Sequence, residues 1–460
     1  MPRVHDERDS QTFLAALGLR LSDFFEQWFP DAFSLALVAV AIVFFAAVGV
    51  GSSPVDAAQW FGAGFWDLTA FTLQMSLIIL TGYAVAVAPP VFKVIERLAA
   101  MPRSGKGAIA FVALFSMLSS LISWSFTLIF SALLAREVAR RVKVVDYRAL
   151  GAAAFLGIGS IWALGLSSSA ALIMAAPGSL PDSIEAISGV IPLSQTIGLW
   201  QSMLMAAVIV AMSIAIAYYS SPEPEQARSA ADLGVALEAR VRHTPGKIRP
   251  GEWLENSPLL TIIVSGMGIT YLVREVGTSG WGVLLDLNHY VFTFLIAGIL
   301  LHWRPRSFVQ AVVAGVPSVA GVLVQYPIYA GIVRMMTESE LATRLAHFFV
   351  EVSNVHTFPV LVGIYSAVLG VFIPSGGAKW LVEAPYLLEA AKSLHVHLGW
   401  VVQTYNATEA LANMIHPFWM LPLIGILGLK PRDIVGYSML QFVVHVPVVL
   451  FLVWILNYTL

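Results

Sequence analysis

The run VFIPSGGAKWLVEAP, residues 371–385, holds the residue types best suited to an anion. Ser375, Gly376 and Gly377 can leave backbone N–H groups unpaired, and a helix that starts there turns its positive dipole end toward them. Glycine permits a close approach, and Lys379, four residues beyond Ser375, adds a full positive charge on the same nominal helix face. A small carboxylate is the natural occupant; a glycine-rich turn whose lysine snorkels to the interface is the structural alternative. Downstream, TYNATEALANMIHPF sets Thr404, Asn406, Thr408, Glu409, Asn413 and His416 between apolar flanks. Glu409, Asn413 and His416 follow at spacings of four and three, so they share a face of a continuous helix. That face can carry a proton on Glu409 or His416, or offer oxygens to a hard cation such as sodium. Hydrogen bonds that merely hold membrane helices together are the plainer reading.

The first half of the chain offers neutral oxygens. Ser123, Ser125 and Thr127 lie in ISWSFT, and Ser160, Ser167, Ser168 and Ser169 in SIWALGLSSSAA. Ser123 with Trp124 can contribute to a substrate cradle and Ser167 with Ser169 to a cation site, although small hydroxyl residues often only let helices pack closely. Trp124, Trp162 and Trp380 can cover a short alkyl tail; tryptophan in membrane proteins more often anchors at the interface.

The elements that hold these residues are membrane helices. Of 460 residues, 58% are hydrophobic and 12% charged, against roughly 25% charged in an ordinary soluble domain. The stretches 32–50, 70–88, 200–219 and 436–458 approach the ~20 apolar residues that cross a bilayer. A net charge of −2, with no Lys/Arg run and no zinc-ligand spacing, gives no reason to expect nucleic acid. The absence of cysteine excludes disulfides, thiolate metal sites and cysteine nucleophiles. The N-terminus is too polar for a cleaved signal peptide and is expected in the cytoplasm, followed over Leu14–Trp28 by an interfacial or packed helix.

A Pro-Ser-Gly-Gly break inside an apolar run is tolerable only within protein or beside a watery cavity. The only good linker candidate, Ser220–Asn256, has eleven charged residues and separates halves with the same order of features: a broken segment, an apolar polar-studded stretch and a last span. Glu137 and Glu389 would correspond, about 250 residues apart. Lys93, Arg97, Arg103, Lys106, Arg136, Arg140, Arg141, Lys143 and Arg148 flank the first broken segment on both sides and place both its ends in the cytoplasm. The second has fewer basic flanks, chiefly Arg334, Arg344 and Lys392, and its ends are placed outside. Loops 51–67 and 178–190, acidic and without Lys or Arg, are placed outside too.

The expected fold is therefore an all-α polytopic membrane protein of two inverted-topology repeats, each with a re-entrant helical hairpin and broken transmembrane helices. Its parts are 1–30, a cytoplasmic N-terminus and interfacial helix; 31–219, repeat 1 with its hairpin about 107–135; 220–256, a charged cytoplasmic linker; and 257–460, repeat 2 with its hairpin about 357–385. Inverted repeats with discontinuous helices point to a secondary transporter. A channel with accidental symmetry and an intramembrane serine hydrolase using Ser375 and Lys379 are the rivals.

The blocks FWDLTAFTLQMSLIILTGYA, AREVARRVKVVDY, LVQYPIYAGI, IPSGGAKW and HPFWMLPLIGILGLKPRDIVGY, in this order from about Phe25 onward, resemble the short-chain fatty acid transporter family, the acetoacetate and butyrate uptake type within the ion transporter superfamily. The resemblance implies a bacterial inner-membrane carrier of small monocarboxylates and cation-coupled symport by alternating access. No cofactor is expected beyond a coupling Na+ or H+. The expected partners are the small carboxylate and membrane lipid; another organic anion such as a dicarboxylate is the alternative cargo, and a homodimer is left open. Glu409, Asn413, Ser375, Gly376, Gly377 and Trp380 match the family pattern. Ala378 and Lys379 stand where the family suggests glycine and histidine, His416 where it suggests glutamine, and Ser123 where it suggests asparagine, departures that bear on substrate preference and coupling ion.

Overall fold

The computed structural model describes residues 27, 32–177, 180–237, 249–372, 376–415 and 419–460. Helix dominates and no strand occurs among them. Six of these helices are long and apolar enough to cross a membrane, and Pro305–Gly315 with Ala320–Glu338 meets the same test only as a pair bent by 55°. The nine helices that shape the site are α1 (Thr69–Val87), α2 (Gly105–Ile122), α3 (Trp124–Arg141), α4 (Tyr147–Leu156), α5 (Ser169–Met174), α6 (Ala320–Glu338), α7 (Phe358–Phe372), α8 (Gly376–Ser393) and α9 (Leu398–Asn413).

α2 and α3 form an antiparallel hairpin hinged on Ser123. Its extended backbone (φ −154°, ψ 116°) ends the first arm, and its Oγ accepts from the Phe126 amide to cap the second. Four residues either side of the hinge, Thr127 Oγ1 donates to Ser119 Oγ at 2.7 Å. In a continuous helix residues eight apart would lie roughly 12 Å from each other. α7 and α8 are antiparallel as well. Tyr365 meets Tyr386 with hydroxyls 2.9 Å apart, Ser366 donates to Glu383, and Gly370 lies beside Lys379, so the arms close toward residues 373–375. Those three residues, Ser375 included, lie outside the described residues, as does His416.

Each half also has an interrupted helix. α4 passes into a π turn (Gly157–Ile161) and a 3₁₀ turn (Trp162–Leu164) before α5 resumes. The cause is Ser116 of α2, whose hydroxyl donates to the Ala154 carbonyl at 2.6 Å and accepts from the Gly157 amide at 3.0 Å. It intercepts groups that would have continued the α ladder. In the second half α9 ends at Asn413 and an apolar helix, Met420–Leu427, follows.

The halves are inverted. Their last helices, Trp200–Tyr219 and Pro431–Asn457, run antiparallel: Ser213 meets His445 at 2.8 Å, and Gln201 donates to Thr459 at 3.0 Å at one end. The α2–α3 hairpin opens at the other end, where Lys106 binds Glu223 at 2.6 Å and Asp146 accepts from the Arg228 amide at 3.1 Å. The α7–α8 hairpin opens the opposite way. Ahead of α7 the Val355 carbonyl accepts from Asn457 at 2.9 Å, and Lys392 of α8 donates at 3.2 Å to the Ile187 carbonyl, in a short helix (Asp182–Ser188) that precedes Trp200–Tyr219.

The expected linker is docked where it is described. The Arg228 carbonyl accepts from the Tyr147 amide at 2.8 Å, and the Ala236 carbonyl from Arg136 at 3.4 Å, so 220–237 packs on the base of the first hairpin. The N-terminal helix expected over 14–28 lies outside the described residues except for Gln27. The apolar interior forms two clusters, one built around α2, α3 and α4, the other around α6 and α8.

Candidate functional site

α8 starts with two glycines wedged against the interruption of the first half. A Cβ on Gly376 would lie 2.5 Å from the Trp162 indole; one on Gly377 would lie 2.6 Å from the Tyr326 hydroxyl and 3.0 Å from Ser169 Cβ. Both positions therefore need glycine for packing. The close approach that the sequence offered to a ligand is made here by Trp162, Tyr326 and Ser169. Tyr405 of α9 donates to the Gly376 carbonyl at 2.5 Å and pins the tip to that helix.

One turn into α8 sits a wholly buried charge cluster. Lys379, Glu383 and Glu409 are 0%, 0% and 1% exposed. The Lys379 ammonium lies 2.6 Å from Glu409 Oε2 and 3.5 Å from Glu383 Oε1, donates to the Ser366 carbonyl at 2.6 Å, and stands 4.5 Å over the centre of the Tyr405 ring. Ser366 Oγ in turn donates to Glu383. Removing such charges from water costs several kcal/mol per ion, so they persist only when paired with opposite charge. The positive charge that the sequence offered to an anion is thus already matched by two carboxylates, one on its own helix and one on α9.

Trp380, fully buried, packs its ring on Tyr405 at 4.8 Å. The indole N–H groups of Trp380 and Trp162 and the Gln403 side-chain amide are buried donors without an acceptor among the described residues. Asn413 donates to the Ile158 carbonyl in the π turn at 3.3 Å, a helix-to-helix bond that steadies a backbone group the interruption has freed.

In the first half, Ser123 Oγ lies 3.3 Å from Ser125 Oγ, and Ser125 donates to the Ile78 carbonyl of α1 at 3.2 Å. Trp124 stacks edge-on against Trp419 at 5.3 Å. The segment 165–169 bridges the two hairpins. Gly165 presses on the Leu121 backbone and Ser167 donates to the Ser120 carbonyl, both on the first hairpin, while Ser169 touches Gly377 on the second. Between them Ser168 caps α5 through the Ala171 amide at 3.0 Å and donates to Asn406 of α9 at 3.0 Å.

Glu383, Ser366 and Tyr405 were not singled out by sequence. Glu383 had a readable signal, since a carboxylate four residues after a lysine in an apolar helix is a ready ion pair. Ser366 and Tyr405 had none; only the antiparallel closure of α7 on α8 and the crossing of α9 bring them in.

The fold is shared with transporters of known structure. The YdaH transporter of Alcanivorax borkumensis, described as having an unusual topology, superposes with a TM-score of 0.62 at 16% identity, covering 94% of this chain and 98% of that one. MtrF of Neisseria gonorrhoeae, assigned to a class of antimetabolite efflux pumps, does so with a TM-score of 0.59 at 14% identity over 95% and 96%. By sequence the chain is 35% identical to a protein of Escherichia coli (strain K12) over 91% of this chain and 94% of that protein. It is 32% identical to one of Haemophilus influenzae (strain ATCC 51907 / DSM 11121 / KW20 / Rd) over 93% and 96%. Both carry the name "Putative short-chain fatty acid transporter". The family model described as short chain fatty acid transporter matches residues 13–456. With almost its whole length matched and helices able to cross a membrane, the chain is a membrane transporter rather than an enzyme and belongs to the short chain fatty acid transporter family.

Proposed function

We propose that the protein is a secondary carrier of short-chain monocarboxylates such as butyrate and acetoacetate, working by alternating access in a bacterial inner membrane as a cation symporter. The observation that carries this reading is the junction of the α8 glycine tip with the first-half interruption, where the indole N–H groups of Trp162 and Trp380 are buried without an acceptor among the described residues and Lys379 lies one turn away. A carboxylate supplies acceptors and negative charge together, and a helix N-terminus favours both. Ionised at neutral pH, such an acid crosses lipid poorly without a cradle of this polarity.

The basic residues Lys106, Arg140, Arg141 and Arg148 gather where the first hairpin opens, which supports a cytoplasmic position for that end. The first hairpin is then re-entrant from the cytoplasm and the second from outside, with Ser123 and Gly376 near the two tips. Ser167, Ser169, Asn413, Glu409 and His416 remain the candidates for handling the coupling cation. The test is counterflow of labelled butyrate and acetoacetate in proteoliposomes against protein-free vesicles, with sodium and pH gradients imposed separately. Saturable exchange of both acids is expected. A Lys379→Ala protein with unchanged apparent affinity and rate would refute the anion site.

A further inference from the structure

We propose that Lys379, Glu383 and Glu409 hold one proton between them, and that a carboxylate substrate enters together with a second proton, taking the place of Glu409 on Lys379. The inference deepens the carrier reading above and rests on it for the identity of the substrate.

It begins with a charge count. One ammonium and two carboxylates, none more than 1% exposed, sum to −1 if all are ionised, an uncompensated charge away from water. Among the described residues no other ionised group is set against it. α7 contributes the Ser366 hydroxyl and Tyr365, α8 contributes Tyr386, α9 contributes Tyr405 and α6 contributes Tyr326. Residues 149–181, which supply the facing interruption, hold no ionisable side chain at all. One bound proton makes the cluster neutral.

An arriving carboxylate restores the deficit, since Lys379 is the one cation of the cluster among the described residues. The substrate oxygen therefore has to replace Glu409, whose Oε2 touches the ammonium at 2.6 Å from a different helix, while Glu383 stays with Lys379 on α8 and is held by Ser366. The displaced Glu409 carboxylate takes a proton from solution, forming its O–H bond, and the ammonium keeps all three of its own protons. Before and after, the net charge is zero. The consequence is electroneutral symport of one proton per carboxylate, with sodium playing no part in the exchange.

The test uses the purified full-length wild-type chain in detergent. Butyrate added in weakly buffered solution with a pH dye should draw about one proton per molecule bound, and apparent affinity should fall about tenfold per pH unit above the cluster's titration. Glu409→Gln alone leaves Glu383 to take the proton, whereas the double variant Glu383→Gln/Glu409→Gln, whose lone ammonium the substrate neutralises by itself, should bind without proton uptake. In the wild type, binding with no proton uptake, or with affinity indifferent to pH, overturns the proposal. A second readout needs no substrate: at neutral pH the infrared spectrum should contain the C=O stretch of a protonated carboxyl, weakened or shifted in Glu383→Gln or Glu409→Gln. Its absence from the wild type also overturns the proposal. If the band is present while butyrate neither binds nor exchanges, the proton-holding cluster is supported and the monocarboxylate reading is what fails.

Discussion

Lys379 is matched by carboxylates from two helices, and its environment sets the consequences of losing it. Removing one partner of a buried ion pair costs about 3–5 kcal/mol, because the other is left unpaired. Lys379→Ala should destabilise the protein by that order in reversible denaturation, and adding Glu409→Gln should recover part of the loss. Strict additivity of the two would show that the pair does not act as a unit. The glycine tip makes a separate prediction. Gly377→Ala drives a methyl against the Tyr326 hydroxyl and should cost ~1–3 kcal/mol, most of it regained with Tyr326→Phe, which deletes the obstructing atom. Equal thermal shifts with and without the second change would rule this out. Sequence spacing showed that Ser375–Lys379 and Glu409–Asn413 were worth attention, since polar groups in apolar runs stand out. It had no means of showing that Lys379 faces Glu409, because that pairing depends on how two helices cross.

At the scale of elements, the break in each half was legible and its mechanism was not. Proline and glycine at 374–377 advertise an interruption, and the basic flanks of 107–135 advertise a hairpin. The π turn at Gly157–Ile161 carries no such mark, because it is imposed from outside by the Ser116 hydroxyl. Ser116→Ala should therefore cost about 1–3 kcal/mol by leaving buried backbone groups unsatisfied. Amide hydrogen exchange near Gly157 should quicken, and unaltered protection there would assign the turn to another cause. At 220–237 the polar composition suggested a linker but not its docking: backbone bonds to Asp146 and Tyr147 fasten it to the hairpin base.

For the whole molecule, the repeat was visible in the sequence as the same features about 250 residues apart, and its inversion in the unequal basic flanks of the two hairpins. The structure adds the contacts that set the hairpins back to back. Because the chain has no cysteine, introduced thiols report orientation cleanly. A cysteine at Ser229 should react with membrane-impermeant maleimide only from the cytoplasmic side, and one at Ser393 only from outside. Labelling of both from one side would dismantle the proposed topology.

The bridge formed by residues 165–169 touches one hairpin through Gly165 and Ser167 and the other through Ser169. In the carrier proposed above, two doors hung on one post would not swing independently: a shift of either would drag the jamb of its neighbour. An airlock of this kind would guard the cell's ion gradients through steric interlock, without any need for the doors to sense what they carry.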